Sequence, residues 1–367
     1  MRVLLVSGSY PPMRCGVGDY THRLARALAG VEGNDVAVLT SEAARPHEDA
    51  ASTVRVFPAM KGWRTGDVVT AIRVLREWRP DVVHVQYPTQ GYGDGGLPTW
   101  LPIVSWLLGA RVVQTWHEPY GLREAPQLLL KLAVPGKLVV VRPGYIQLVH
   151  RWLQPLMRRA RLQFIPNASA IPRARLTAEQ RAALRARYLR GQSRLLVFFG
   201  FLYRHKGVDL LFDVADPAVD QIVIAGDTDH LDYKRELETR ANSAPWTGKA
   251  TLTGFVSAQD AAALLSVADA VVLPFRGHGA GEWNTSLHGA IDNEAFVVAT
   301  SRTRRGLDAA TQVYYTAIDA VEEMREALRR IPATRRQRSA AVDAWSNIAA
   351  AHMGLYGTTA KPGVVGA

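Results

Sequence analysis

The chain has 367 residues, 48% of them hydrophobic and 21% charged, and carries a net charge of +11. That length suits two domains of ordinary size, and the composition excludes a disordered, collagen-like or membrane-spanning chain. The excess of positive charge favours anionic partners, whether nucleotides, phosphates, nucleic acid or an anionic membrane surface, without choosing among them. The single cysteine, Cys15, excludes an internal disulfide and a cysteine-based metal site, and reads as a small loop residue in a reducing compartment.

The start "MRVLLVSGSYPP" has too short an apolar run for a signal peptide and is broken by Gly8, Pro11 and Pro12. No segment reaches the length of a membrane span. The most apolar run, "TWLPIVSWLLGARVV", carries Pro102, Gly109 and Arg111, and reads as a buried helix followed by a strand. The expectation is a cytoplasmic protein that can rest peripherally on the inner face of a membrane.

In chain order, "RVLLVS" (2–7), "DVAVLT" (35–40), "DVVHVQY" (81–87), "RVVQTW" (111–116), "KLVVVR" (137–142) and "LQFIP" (162–166) read as strands. They are continuously apolar, as parallel strands covered on both faces are. Helical patterns lie between them, such as "DYTHRLARAL" (19–28) and "VVTAIRVLREW" (68–78). "YIQLVHRWLQPLMRRARLQF" (145–164) reads either as an amphipathic helix with a solvated basic end or as a surface that meets anionic lipid.

"IPNASAIPRAR" reads as a linker, after which the pattern restarts. "LTAEQRAALRARYL" (176–189) is a helix capped by Thr177. Strands follow at "RLLVFFG" (194–200), "QIVIAG" (221–226), "ATLTG" (250–254), "AVVLPF" (270–275) and "FVVATS" (296–301). Helices separate them at "VDLLFDVA" (208–215), "AQDAAALLSVA" (258–268) and from about Thr285. "RRQRSAAVDAWSNIAAAHMGLY" (335–356) reads as a long amphipathic helix, and 358–367 as a flexible tail. The fold class is therefore α/β, with two Rossmann-like doubly wound domains at 1–168 and 169–340 and a last helix at 341–357. Ligands of such sheets sit at the carboxyl ends of the strands, and two sheets facing each other create a cleft.

Four segments at those strand ends carry candidate chemistry. In "SYPPMRCGVGDYTHRLARAL", Gly16 and Gly18 precede a helix start, which either lets a backbone approach an anion or is a plain connecting loop. "FFGFLYRHKGVDLL" places Arg204, His205 and Lys206 on a strand-to-helix loop, where cations can hold a diphosphate or simply face solvent. "TWHEPYG" places His117 and Glu118 after a strand. "FRGHGAGEWNTSLHGAIDNEAFVVATS" brings Glu282 and then a helix start at Asn284, Thr285, Ser286 and Leu287. Its N–H groups suit an anion, and Asn284 or Thr285 suits a cap; the two are not exclusive.

In this order the segments resemble the family-4 retaining glycosyltransferases of the GT-B fold over nearly the whole chain. "YPPMRCGVGDYTHRLARAL" resembles the opening glycine-rich loop, "IPNASAIP" the inter-domain junction, and "GFLYRHKGVDLL" the donor-phosphate loop. "LTGFVSAQDAAALLSVADAVVLPF" resembles the segment before the donor site, and "AWSNIAAAHMGLY" the final helix that crosses back to the first domain. The resemblance implies that Gly16 and Gly18 approach the donor phosphates and that Lys206 binds phosphate, with Arg204 beside it. It places His117 near the donor sugar and puts the backbone of Val256 against the base. The start 284–287 becomes the seat of the diphosphate, and Glu282 a contact to the sugar. Two positions depart from the pattern. Phe201 stands where the family has an arginine, and Gly289 where it has the second of two glutamates, with Glu282 one place from the first.

The implied reaction moves a sugar from a UDP- or GDP-linked donor to an acceptor hydroxyl, with retention, without a metal or a resident cofactor. The implied partners are a saccharide or lipid-linked saccharide in polysaccharide or glycolipid synthesis, and an anionic membrane surface. Nucleic acid is not among them, because the basic residues are scattered. The rival reading is a non-catalytic protein of the same fold that binds a nucleotide or glycan.

Overall fold

The computed structural model describes residues 1–44, 53–277, 284–332 and 344–359. They fall into two compact units, Met1–Ala168 with Ala341–Ala367, and Ser169–Ala340.

The first unit runs β1 (Arg2–Val6), α1 (Gly16–Ala29), β2 (Asp35–Ser41), β3 (Val54–Met60), α2 (Val68–Trp78), β4 (Val82–Tyr87) and α3 (Leu97–Leu107). It continues with β5 (Arg111–Trp116), α4 (Ala125–Leu132), β6 (Gly136–Val140), α5 (Tyr145–Leu148), α6 (Gln154–Arg159) and β7 (Gln163–Phe164). The strands form one parallel sheet in the order β3-β2-β1-β4-β5-β6-β7. Because side chains alternate along a strand, Val3 and Leu5 pack on one face against Tyr20, Leu24 and Leu28 of α1. Leu4 and Val6 pack on the other, with Leu75 of α2, Leu101 of α3, Leu128 of α4 and Met157 of α6.

The second unit runs α7 (Ala178–Tyr188), β8 (Arg194–Phe199), α8 (Leu211–Val214), β9 (Asp220–Ala225), α9 (Leu231–Asn242), β10 (Ala250–Gly254) and α10 (Ala258–Val267). Then come β11 (Ala270–Leu273), α11 (Thr285–Asp292), β12 (Phe296–Thr300), β13 (Gly306–Asp308), β14 (Val313–Thr316) and α12 (Val321–Arg329). Its sheet has the order β10-β9-β8-β11-β12-β14-β13, parallel except for β13. In both sheets the order reverses beside the first strand, which places the ligand-binding edge at the ends of β1 and β4 and of β8 and β11.

The last helix, α13 (Ala344–Thr358), returns to the first unit. It buries Trp345, Ile348, Ala349, His352 and Tyr356, a stripe of helical spacing. Trp345 meets Tyr20 of α1 edge-on, with ring centroids 5.3 Å apart. Tyr356 Oη lies 2.7 Å from Nδ1 of the buried His84 on β4.

Several sequence expectations need correction. Residues 145–164 are not one helix: after α5 the backbone is extended at Val149, and Pro155 opens the separate α6. The run around α3 is not fully buried, since Trp100, Leu107 and Leu108 are exposed. Gly16 and Gly18 lie inside the first turn of α1 rather than before it. Strand β3 went unread because Pro58 interrupts it, which an edge strand tolerates. The β13–β14 hairpin also went unread, its strands being too short to show a period. The final helix is described from Ala344, and the 360–367 part of the expected tail lies outside the described residues.

Candidate functional site

The richest site is the carboxyl edge of the second sheet. Beyond β8, Gly200 takes φ +142°, and a Cβ there would stand 2.9 Å from Ser286 Oγ. The first turn of α11 is thus pressed against the end of β8. Further along the loop, Gly207 takes φ +62°, and a Cβ on it would stand 2.1 Å from the Pro274 carbonyl oxygen, so only glycine fits. The loop is tied to the end of β11 as well: the Arg276 N–H donates to the His205 carbonyl at 2.7 Å. Arg276 also grips Asp209 with two bonds of 2.9 Å and lies 2.6 Å from Asp319. Loop 200–207, the start of α11 and the end of β11 therefore form one fixed construction.

The cations on this construction differ in how they are engaged. Lys206 Nζ stands 4.1 Å from the ring centroid of the buried Phe275, a cation–π contact at the edge of the core. Arg204 reaches α9 instead. Its guanidinium bonds Glu236 at 2.8 Å and Asp232 at 3.2 Å and lies over the Tyr233 ring, so two carboxylates already match its charge. Sequence reasoning missed Arg302, on the loop after β12. It donates to the Gly277 carbonyl at 3.3 Å, and no carboxylate pairs with it among the described residues. The signal was the basic run "SRTRRG" directly after a strand. Phe201, Tyr203 and His205 stack in series, with centroids 5.9 and 5.5 Å apart.

Helix α11 starts with Asn284 as its cap. The Asn284 side chain accepts the Leu287 N–H at 2.8 Å. This corrects the expectation that Leu287 offers its N–H to an anion: that donor is used, and the Leu287 side chain is in the core. The N–H groups of Thr285 and Ser286 are left without a partner among the described residues. At Gly289, a Cβ would stand 3.0 Å from Ser169 Oγ and 3.2 Å from Ile171 Cβ, so the linker fills the space a side chain there would need. Glu282 lies outside the described residues. Val256 is half-buried between Gly254, which ends β10, and Ser257, whose hydroxyl caps α10 by accepting the Asp260 N–H at 3.1 Å. The adjacent Phe255, unread in the sequence, is an exposed aromatic at the same edge.

The corresponding edge of the first sheet holds the other candidates. A Cβ on Gly16 would meet nothing within 4 Å, whereas one on Gly18 would stand 3.1 Å from the Ser9 carbonyl. Gly16 is thus open, and Gly18 serves close packing of α1 on its own loop. His117 follows β5 and is buried; its Nε2 lies 3.0 Å from Gln86 Oε1, and its ring meets Tyr20 edge-on. Burial, with Arg142 and His352 nearby, pushes its pKa down to about 3, so the ring is neutral at neutral pH.

Two further groups at this edge were not read from the sequence. Asp19, in the first turn of α1, is pushed up to about 6 by burial, with Arg23 pulling the other way. Lys131 is buried on α4, its Nζ 2.8 Å from Tyr120 Oη and 3.9 Å from the Tyr87 ring centroid, and burial pushes it down to about 8.

Two Rossmann-like domains with glycine-rich loops and a polar helix start at the sheet edges define the GT-B class of glycosyltransferases. Residues 15–171 match the family described as Glycosyltransferase Family 4, and residues 193–333 match Glycosyl transferases group 1. The chain belongs to the family-4-like glycosyltransferases. It is similar in fold to HepE of Anabaena in complex with UDP, at a TM-score of 0.65 and 14% identity over 97% of this chain and 96% of that one. It is similar also to sucrose-phosphate synthase of Thermosynechococcus elongatus, at a TM-score of 0.68 and 16% identity over 97% and 95%. Among curated proteins it matches a glycogen synthase of Mycobacterium tuberculosis at 34% identity over 113 residues; the match covers 23% of this chain and 27% of that protein. The chain thus spans about a quarter of the length of the curated relatives it matches. Among the described residues no helix is long and apolar enough to cross a membrane.

Proposed function

We propose that the chain transfers a sugar, with retention, from a UDP- or GDP-linked donor to the hydroxyl of a saccharide or lipid-linked saccharide. The work belongs to polysaccharide or glycolipid assembly at the cytoplasmic side of an anionic membrane, and the donor is a substrate rather than a resident cofactor. One observation carries this reading: Gly200 holds the loop of Lys206 against the first turn of α11, where the Thr285 and Ser286 N–H groups are left over. An N–H pair at a helix start and a lysine on a fixed loop suit a diphosphate.

The chemistry this asks of the protein is charge stabilisation. As the bond from sugar to diphosphate breaks, negative charge grows on the departing phosphate. Donors already fixed in place lower that barrier without rearranging. Lys206, the two N–H groups and Arg302 are assigned to this task. Arg204 is a weaker phosphate ligand, because it would have to leave two carboxylates. The backbone of Val256 is assigned to the base, the neutral His117 and Glu282 to the donor sugar, and the open Gly16 to close approach of the donor.

HepE has been crystallised with UDP, which supports the nucleotide class. The test is a thermal-shift screen against nucleoside diphosphates and their sugars. A ligand at 100 times its Kd stabilises by about 2.7 kcal/mol. Absence of a response to every nucleotide sinks the reading.

A second reading, a non-catalytic nucleotide- or glycan-binding protein, is favoured by Phe201 at the arginine position and by the crowding at Gly289. Nucleotide binding with neither transfer nor slow donor hydrolysis selects it.

A further inference from the structure

Helix α3 has no charged residue, and it lies at the surface of the first unit. Leu97, Leu101 and Pro102 face the sheet, while Trp100 and Leu107, a helical period of seven apart, are 47% and 70% exposed. A helix that is apolar on both its inner and its outer stripe is covered by something on the outside. The same outward face continues over α4, where Leu129 is 57% exposed, and over the turn before α6, where Trp152 is 70% exposed. These elements share one side of the sheet, since Leu101, Leu128, Tyr145 and Met157 all enter the same core cluster.

Charge singles out this face. Residues 97–164 contain nine arginines and lysines against two glutamates, Glu118 and Glu124. Glu118 is bonded to Arg142, and Glu124 accepts the Gly121 N–H. Arg123, Arg151, Arg158 and Arg159 are exposed, and none has a carboxylate partner among the described residues. The second unit also exposes arginines without a carboxylate partner among the described residues, such as Arg187 and Arg302, but there they stand among paired ones, such as Arg173, Arg185, Arg240, Arg276 and Arg325. On this face of the first unit, four exposed arginines without a carboxylate partner among the described residues therefore share one stretch with large exposed apolar side chains. Arg151 even lies over the Trp152 ring, 5.9 Å from its centroid. Interfacial tryptophans, apolar residues and unpaired arginines together match the headgroup layer of a bilayer bearing negative charge. The excess of nine basic residues over two acidic ones along this stretch favours an anionic lipid surface as the occupant.

We propose that the outer surface of α3, α4 and α6 in the first unit docks the chain on an anionic lipid bilayer. This names the surface for the membrane contact in the reading above and rests on that reading. The test is co-sedimentation of the full chain with vesicles of equimolar phosphatidylcholine and phosphatidylglycerol, against phosphatidylcholine alone, at low and high salt. Binding to the anionic vesicles that falls steeply with salt is expected. The triple variant Arg151→Glu/Arg158→Glu/Arg159→Glu should lower the partition coefficient more than tenfold, and Trp152→Ala several-fold. Arg187→Glu, on α7 of the second unit, should leave it unchanged.

All these side chains are exposed, so circular dichroism should show the variants folded. The nucleotide-induced thermal shift should persist in them, which separates failure of this proposal from failure of the transferase reading. Equal binding to neutral vesicles, indifference to the triple reversal, or no binding at all overturns the proposal. So does a dimer that Leu107→Asp dissociates and that ignores vesicles.

Discussion

Gly289 of α11 and Ser169 of the linker leave no room between them: a Cβ on Gly289 would stand 3.0 Å from Ser169 Oγ. That hydroxyl is itself held, accepting the Ile171 N–H at 2.9 Å, and Ile171 Cβ is only 3.2 Å from the same point. The linker thus occupies the place where the sequence resemblance leads one to expect a glutamate. Gly289→Glu should not restore a donor contact. It should destabilise the second unit by about 1–3 kcal/mol, the usual cost of overpacking, read as a lowered thermal midpoint. A gain in stability or in nucleotide affinity would show that the linker yields.

Lys206 and Arg204 sit on one loop, two residues apart, and should behave differently. Lys206→Ala should cost about 100-fold in kcat/KM, equivalent to about 2.7 kcal/mol of transition-state stabilisation. It should also weaken the thermal response to nucleoside diphosphates. Arg204→Ala should change the nucleotide response by no more than about twofold, since it removes an exposed ion pair of small net worth. The assignment of Lys206 fails if the two variants lose activity equally.

The legible and illegible parts of this chain divide along physical lines. Apolar runs such as Arg194–Phe199 and Phe296–Thr300 announce buried parallel strands because both of their faces are covered. Thr177 announces a helix start because its cap is local: it accepts the Gln180 N–H, and Gln180 bonds back. The state of Arg204 could not be read, because its carboxylate partners lie 28 and 32 residues away. Nor could Asn284, since a capping residue and an anion seat have the same sequence, and only the bond to Leu287 shows which donor is used. The exposure of Trp100 escaped notice because apolar content says what a helix can bury, not whether a neighbour covers it.

Asp19 carries a cost that pH can reveal. Its carboxyl is raised from 3.8 to about 6 by burial. The folded state therefore binds the proton more tightly than the unfolded chain. The stability this confers is present below about pH 3.8 and is lost as the pH rises through about 6. Asp19→Asn removes the penalty of burying a charge. The variant should be more stable than the parent by about 1–2 kcal/mol at pH 7, after allowance for partial exposure. The gap should close at pH 4. Denaturant unfolding at the two pH values checks this, and an equal difference at both would rule out titration of Asp19 as its cause.

His352 of α13 makes the opposite prediction for the same unit. Burial pushes its pKa from 6.5 down to about 4, against a hydrogen bond to the Ile348 carbonyl, and its Nε2 has no partner among the described residues. His84 and His117, buried nearby, are shifted in the same direction, chiefly by desolvation. Here the unfolded chain takes the proton first. The stability is therefore complete above pH 6.5 and is lost as the pH falls towards 4. At about 1.4 kcal/mol per pH unit, His352 alone should withdraw about 2 kcal/mol by pH 5. The loss should release α13 from Tyr20 and His84, exposing its amides to hydrogen exchange before those of the second unit. His352→Leu removes both the titration and the orphaned nitrogen, so its stability should fall less steeply between pH 6.5 and pH 5. If the parent and the variant lose stability in parallel over that range, the acid sensitivity of the first unit lies elsewhere.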